Sequence, residues 1–233
     1  MTTRQIILDT ETTGLEPSQG HRIIEIAAAE MINRRLTGRH FHYYINPERS
    51  IDAGAQKIHG ITEKFLIDKP KFSDIADELL AYLQGGELII HNAPFDIGFL
   101  NHEFQLLRRD LPKITDTCKV IDTLVMARQK HRGQKNNLDA LCKRYQVDNS
   151  RRDLHGALID VNLLAEVYLA MTGGQMNLFI EEPLQENTRS SSKTTSQTPN
   201  QDIPKKAFKI LQASPEELAE HEKYMNMLDS DKK

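Results

Sequence analysis

The chain has 233 residues, 39% hydrophobic and 27% charged, with a formal net charge of -3, values that fit one sizeable domain plus extra segments and argue against a wholly basic nucleic-acid binder or an acidic tail. No stretch approaches the ~20 apolar residues that span a bilayer, and the start "MTTRQIILDTE" lacks the apolar core of a signal peptide, so a cytoplasmic protein without membrane contact is expected. The two cysteines, Cys118 and Cys142, have no metal-ligand spacing and read as packing residues.

Three consecutive strands are predicted first: the short β-branched run from Gln5 to Leu8, then "RIIEIAAAEM" from Arg22 to Met31, then the aromatic-rich "FHYYINP". "FSDIADELLAYL" has helical spacing, with Ser73 as a possible cap and "QGG" as its end. "ELIIHN" reads as a short buried strand, and "APFDIGFLNHEFQLLRR" as a helix with Pro94 near its start and Asn92 as a cap. "CKVIDT" is a strand and "LVMARQK" a helix. "NNLDALCKRYQV" is a helix opened by Asn136 or Asn137, and "HGALIDVNLLAEVYLAMTGG" is a longer helix closed by Gly173 and Gly174. A meander of strands followed by alternating strands and helices predicts an α/β domain with a mixed central sheet flanked by helices.

After Phe179 the composition changes. "PLQENTRSSSKTTSQTPNQD" has too little apolar surface for a core and reads as a flexible linker. Beyond it, "IPKKAFKILQASPEELAEHEKYMNMLDSDKK" regains sparse apolar residues, with Ser214, Pro215 and Glu217 as a helix start; a short helical tail of this size is expected to order on a partner.

The chemistry concentrates in three places. Asp9 and Glu11 are two apart on the first strand, which sets both carboxylates on one face as a hard-oxygen cation site; the plainer alternative ends the strand near Leu8 and leaves both acids solvated. The "TTG" that follows supplies hydroxyls and a turn whose amides can face a phosphate. Asp96 sits just inside a helix N-terminus at the C-terminal end of a strand, where open α/β sheets place their sites, although favourable charge at the helix end explains a lone Asp equally well. His155 and Asp160 are five apart, so they share a site only if His155 precedes the regular turns, which Gly156 permits; the alternative is a surface histidine and a solvated acid.

Taken together and in this order, Asp-x-Glu, His-Asn-x-x-Phe-Asp and His-x-x-x-x-Asp resemble the DEDD-type 3′ to 5′ exonucleases of the histidine subclass, whose fold is ribonuclease-H-like, over residues ~4 to 172. Within that family, "LDTETTGL", "HRIIEIAAAE", "IHGIT", "HNAPFDIGFLNHE", "NNLDALCKRY" and "LHGALIDVNLLAEVYLAMTGGQ" are similar to the proofreading subunits of bacterial replicative polymerases. The resemblance implies that Asp9, Glu11, Asp96 and Asp160 hold two divalent cations, Mg²⁺ or Mn²⁺, with His155 as general base. It also implies that His59 contacts the terminal nucleotide, in a substrate site shared with Asn92, Phe95, Asp9, Glu11 and Asp160. The loop expected before His59, "SIDAGAQKIHG", departs from the pattern at Gly54, which stands where relatives can carry an acid. The implied activity is removal of mispaired 3′ nucleotides from single-stranded or frayed DNA, releasing nucleoside 5′-monophosphates.

Further implications concern partners. Gln175, Met176, Asn177, Leu178 and Phe179 resemble the short peptide by which bacterial replication proteins dock on the sliding clamp, and the tail would bind the polymerase catalytic (alpha) subunit; a small theta-like subunit is left open. The expected organisation is an exonuclease domain over 1–174, a clamp-binding peptide over 175–182, a linker over 183–203 and a polymerase-binding tail over 204–233. Basic residues at Arg128, Lys130, His131, Arg132 and Lys135, and at Arg151 and Arg152, are available to steer a phosphate backbone, with a solvated loop the simpler reading of the first group. Two rival readings are a stand-alone exoribonuclease of the same fold, which needs neither clamp peptide nor tail, and a non-catalytic scaffold bridging clamp and polymerase, which needs no intact acid set.

Overall fold

A computed structural model describes residues 3–109, 111, 113–150, 152 and 154–173. The expected clamp peptide, linker and tail therefore lie outside the described residues, as do Arg151 and Gly174. The elements run β1 (Arg4–Thr12), β2 (Ile23–Ile32), β3 (Arg35–Tyr44), α1 (Ala53–His59), α2 (Glu63–Leu66), α3 (Phe72–Leu83), β4 (Glu87–Ile90), α4 (Ala93–Leu106), α5 (Ile114–Thr117), β5 (Lys119–Asp122), α6 (Thr123–Lys130), α7 (Leu138–Tyr145) and α8 (Ala157–Thr172). Among the described residues, no helix is long and apolar enough to cross a membrane.

The strands form one sheet in the order β3-β2-β1-β4-β5. β1 pairs antiparallel with β2 and β2 with β3, while β4 lies parallel to both β1 and β5. The sheet is mixed for the reason the sequence suggests: a short loop joins β1 to β2 and a two-residue turn joins β2 to β3, while helical crossovers bring in β4 and β5. β1 is central and covered on both faces, so Ile6, Ile7 and Leu8 are all fully buried rather than alternating. Ile6 and Leu8 join a core with Phe72, Leu79 and Phe99 from α3 and α4. Ile7 joins a second core with Ala27, Ala29, Val161 and Leu164, where the alanines of β2 let α8 approach the sheet closely.

Several expectations are corrected. The alternative that ends β1 near Leu8 is excluded: β1 runs through both acids to Thr12, because Asp9, Thr10 and Glu11 keep their pairing with Ala27, Ile26 and Glu25. β3 begins at Arg35, six residues before the aromatic run. The segment expected as a loop before His59 is α1, ending in Gly60 in the left-handed region (φ 70°). Ser73 is not the cap of α3. The helix starts one residue earlier, at Phe72, and the Asp74 carboxylate accepts from the Lys71 N–H at 2.9 Å. Asn137 rather than Asn136 caps α7, accepting from Ala140 N–H at 3.1 Å. Asn92 occupies the position before α4, but its side chain makes no cap bond and its backbone is left-handed (φ 66°, ψ 51°).

Candidate active site

The site lies at the C-terminal ends of the parallel strands β1 and β4, in a cleft of about 680 Å³. On β1, Asp9 and Glu11 share the face of Ile7, which turns toward α8. A register shift follows directly between Glu11 and Thr12, and such bulges re-aim side chains at the rims of sheets. Thr10 points the other way, and its hydroxyl donates to Asp96 Oδ1 at 2.7 Å. That bond ties the end of β1 to the first turn of α4. A second tie comes from Glu103 farther along α4, a buried carboxylate that accepts from Arg22 Nε and Nη2 at 2.8 and 2.7 Å and from Ile23 N–H at 3.1 Å.

α8 starts at Ala157, so His155 does precede the regular turns, and its backbone N–H donates to Ile58 O at 3.1 Å. Asp160, 3% exposed, sits in the first turn of α8. Glu11, His155 and Asp160 each place one potential ligand atom within 4.8 Å of the others. Arg152 reaches into this group rather than toward solvent, with a side chain only 5% exposed. Its Nε and Nη2 fork the Asp160 carboxylate at 2.5 and 2.7 Å, Nη1 pairs with Asp139 at 2.6 Å, and Nη2 donates to His155 Nδ1 at 3.1 Å. The expected role of Arg152 in steering phosphate is therefore corrected: its guanidinium is committed to the acid cluster.

Two further residues escaped the sequence reading. Glu25, 2% exposed, is the cross-strand partner of Glu11; its Oε2 accepts from the first amide of α8, Ala157 N–H, at 3.1 Å, and its Oε1 pairs with His42 Nε2 at 2.8 Å. A carboxylate at a helix N-terminus satisfies an otherwise unpaired amide and opposes the helix dipole, so Glu25 fixes where α8 begins. The readable signal was a charge inside the apolar run "IIEIAAAEM". Asp139 was the other, visible only once α7 is folded beside Arg152.

The electrostatics are those of crowded, buried acids. Burial, followed by repulsion from Asp160, Glu25 and Asp96, pushes the Glu11 carboxyl up to about 8. Burial raises Asp96 to about 7 against the help of the Thr10 hydroxyl. Asp9 is pushed well above the usual carboxylate range by enclosure away from water and by Asp96, Glu11 and Asp160. Carboxylates gathered this closely suit a hard divalent cation, which favours oxygen ligands. His155 is lowered by burial and by the Arg152 charge, against Asp160 and Asp139, which favours the neutral ring.

Across the cleft, His59 is 6% exposed. Its Nδ1 accepts from Ile61 N–H at 3.0 Å, which leaves the ring proton on Nε2, and Nε2 is buried without a hydrogen-bond partner among the described groups. Phe95, Asn92 and His59 line the same cleft as the acids. The described residues thus bring together Asp9, Glu11, Asp96, Asp160, His155, His59, Asn92 and Phe95.

Residues 6–168 match the exonuclease family (RNase_T). The chain is 52% identical over 233 residues to DNA polymerase III subunit epsilon of Salmonella typhimurium, covering 97% of this chain and 93% of the relative. It is 48% identical to the Escherichia coli subunit of the same name over 230 residues, covering 97% and 93%. Among solved structures it is similar to exonuclease X in complex with 5′ overhanging duplex DNA, at 28% identity and a TM-score of 0.55, covering 72% of this chain and 90% of that one. E. coli ExoI in complex with single-stranded DNA, in its zinc-bound form, shares the fold at 20% identity and a TM-score of 0.62, covering 72% and 40%. The chain therefore belongs to the exonuclease family, within the group of DNA polymerase III epsilon subunits.

Proposed function

We propose that this chain is the proofreading subunit of a replicative DNA polymerase and hydrolyses the 3′ terminal phosphodiester of DNA to release nucleoside 5′-monophosphates. The observation that carries the reading is the meeting of Asp9, Glu11, Asp96, Asp160 and His155 at one end of the sheet, in a chain of this family. Held by the four carboxylates, two divalent cations, Mg²⁺ or Mn²⁺, would supply charge stabilisation to the phosphodiester and lower the pKa of the attacking water.

The chain's own residues divide the remaining work. His155 is the proton acceptor, neutral because burial and Arg152 oppose its charging. With Nδ1 accepting from Arg152, the ring proton is on Nε2 and the lone pair on Nδ1 is occupied. Either use of the ring as a base, at Nδ1 directly or at Nε2 after a change of tautomer, requires Arg152 to withdraw. His59 lines the cleft beside the acids, but its Nε2 is buried and reaches the terminal nucleotide only if the cleft opens, while Phe95 would supply an apolar face for the base. Residues 175–182 would dock on the sliding clamp and residues 204–233 on the polymerase catalytic subunit, joined by the soft linker 183–203.

The test is hydrolysis of 5′-labelled single-stranded DNA and RNA of the same sequence in Mg²⁺, with chromatography of the products. Stepwise shortening of DNA from its 3′ end with release of nucleoside 5′-monophosphates is expected. Degradation of RNA alone would replace the proofreading reading with the ribonuclease one. A chain ending at residue 182 should hydrolyse DNA like the full chain while losing the polymerase subunit on size-exclusion chromatography; retained binding would overturn the role of the tail.

A further inference from the structure

The acid-lined cleft does not end at the acids. Past His91, Asn92 and Asn137, which border both spaces, a second cleft of about 650 Å³ opens between the β4–α4 junction and the α6–α7 connection. This is the size of a ligand cleft. Its character is opposite to that of the site. Arg128 lines it, exposed, and no hydrogen bond or ion pair joins its guanidinium to another described residue. Lys130, Arg132 and Lys135 are exposed on the same α6–α7 segment. In the neighbouring carboxylate, Asp122, Oδ1 accepts from the amides of Asn92, Leu124 and Val125.

At the junction of the two clefts stands Asn92. Its left-handed backbone removes its side chain from capping α4, so the carboxamide is exposed and makes no hydrogen bond to another described residue. A strained, uncommitted polar side chain between two clefts is placed to serve a ligand that spans both. Among the described residues that line the catalytic cleft, those of its opposite rim offer no such partner for an anion. That rim is formed by Leu15 and Ile58, both exposed and apolar, and by Asp52.

We propose that the second cleft holds the sugar–phosphate backbone of the nucleic-acid strand immediately upstream of the scissile phosphate, with Arg128 pairing a phosphate and the Asn92 carboxamide bridging the two clefts. The inference rests on the exonuclease reading and extends it: the acids engage the bond that is cut, and the α6–α7 segment holds the strand that remains. Charge selects this exit over the opposite one, since a polyanion leaving a cluster of carboxylates is stabilised where free cations are densest.

The experiment uses the full chain and its Arg128→Ala and Arg128→Glu variants. Two substrates are compared, single-stranded oligonucleotides of increasing length and the p-nitrophenyl ester of thymidine 5′-monophosphate, which has no upstream strand. For the wild type, KM should fall with length until the second cleft is filled. In Arg128→Ala the ratio of kcat/KM for a long oligonucleotide to that for the ester should fall about tenfold, mostly through KM, and the dependence of log KM on log salt should lose about 0.7 of its slope. Arg128→Glu should lose more. An unchanged ratio and salt slope in both variants would overturn the proposal, as would equal losses on oligonucleotide and ester. If the wild type hydrolysed neither substrate, the exonuclease reading itself would fail, an outcome distinct from either of these.

Discussion

Glu11→Gln isolates the cost of crowding carboxylates at the end of β1. In the cation-free protein Glu11 has a carboxyl pKa of about 8, against about 4.3 for a glutamate in an unfolded chain. The folded state therefore binds this proton more tightly than the unfolded state. Below about pH 4 both states are protonated and the penalty vanishes; as pH rises toward 8 the unfolded chain ionises first, and stability falls by up to about 1.4 kcal/mol per pH unit. A shift of that size corresponds to about 5 kcal/mol at full ionisation, and entry of water into the open cleft reduces it to about 2 to 4 kcal/mol. For a domain of this length each kcal/mol moves Tm by about 2 to 4 °C. Calorimetry of the wild type in chelator should thus show Tm falling between about pH 5 and pH 8, and the glutamine variant should lose the Glu11 share of that slope, Asp9 and Asp96 keeping the rest, and be the more stable protein at pH 8. Added Mg²⁺ or Mn²⁺ should raise the wild-type Tm more at pH 8 than at pH 5, because cation binding requires the ionised acids. A wild-type Tm that is flat with pH, or a variant no more stable at pH 8, would refute the reasoning.

Other consequences follow from single contacts. Arg152→Met removes the guanidinium that forks Asp160, so Mn²⁺ titrated into the DNA-free chain and followed by its paramagnetic resonance should bind about tenfold more tightly; weaker binding would mean that Arg152 shapes the site rather than competing for it. Glu25→Ala should cost about 1 to 2 kcal/mol of stability and speed hydrogen exchange at Ala157, while Glu25→Gln, which keeps an acceptor, should recover most of both. If glutamine were as damaging as alanine, charge rather than the hydrogen bond would be the operative property. His155→Ala should lower turnover by about 10² to 10⁴ while leaving Mn²⁺ affinity in place; a parallel fall in affinity would make His155 a ligand.

The legible part of the molecule was local. Hydrophobic runs marked β1, β2 and β4, 3.6-residue spacing marked α3, which buries one apolar face, and Pro94 and Gly173 marked the start of α4 and the end of α8. The five-residue spacing of His155 and Asp160 required His155 to lie ahead of α8, as it does. α1 was missed because "AGAQKIH" is short, contains a glycine and buries only His59. Contacts across long sequence separations were also out of reach. Glu25 meets Ala157 across 132 positions, and nothing in either neighbourhood announces the other. Arg152 read as a basic surface residue because its partners, Asp139 and Asp160, come from two helices that only the fold places beside it.

The central claim is that Asp9, Glu11, Asp96 and Asp160 act as one cation-dependent site for cutting DNA ends. Its most direct test is a time course on 5′-labelled single-stranded DNA in Mg²⁺ with the wild type and Asp9→Asn, the latter first shown by circular dichroism to be folded. The account predicts a ladder shortening from the 3′ end for the wild type, none in chelator, and none for Asp9→Asn. Cleavage by Asp9→Asn at the wild-type rate would contradict it.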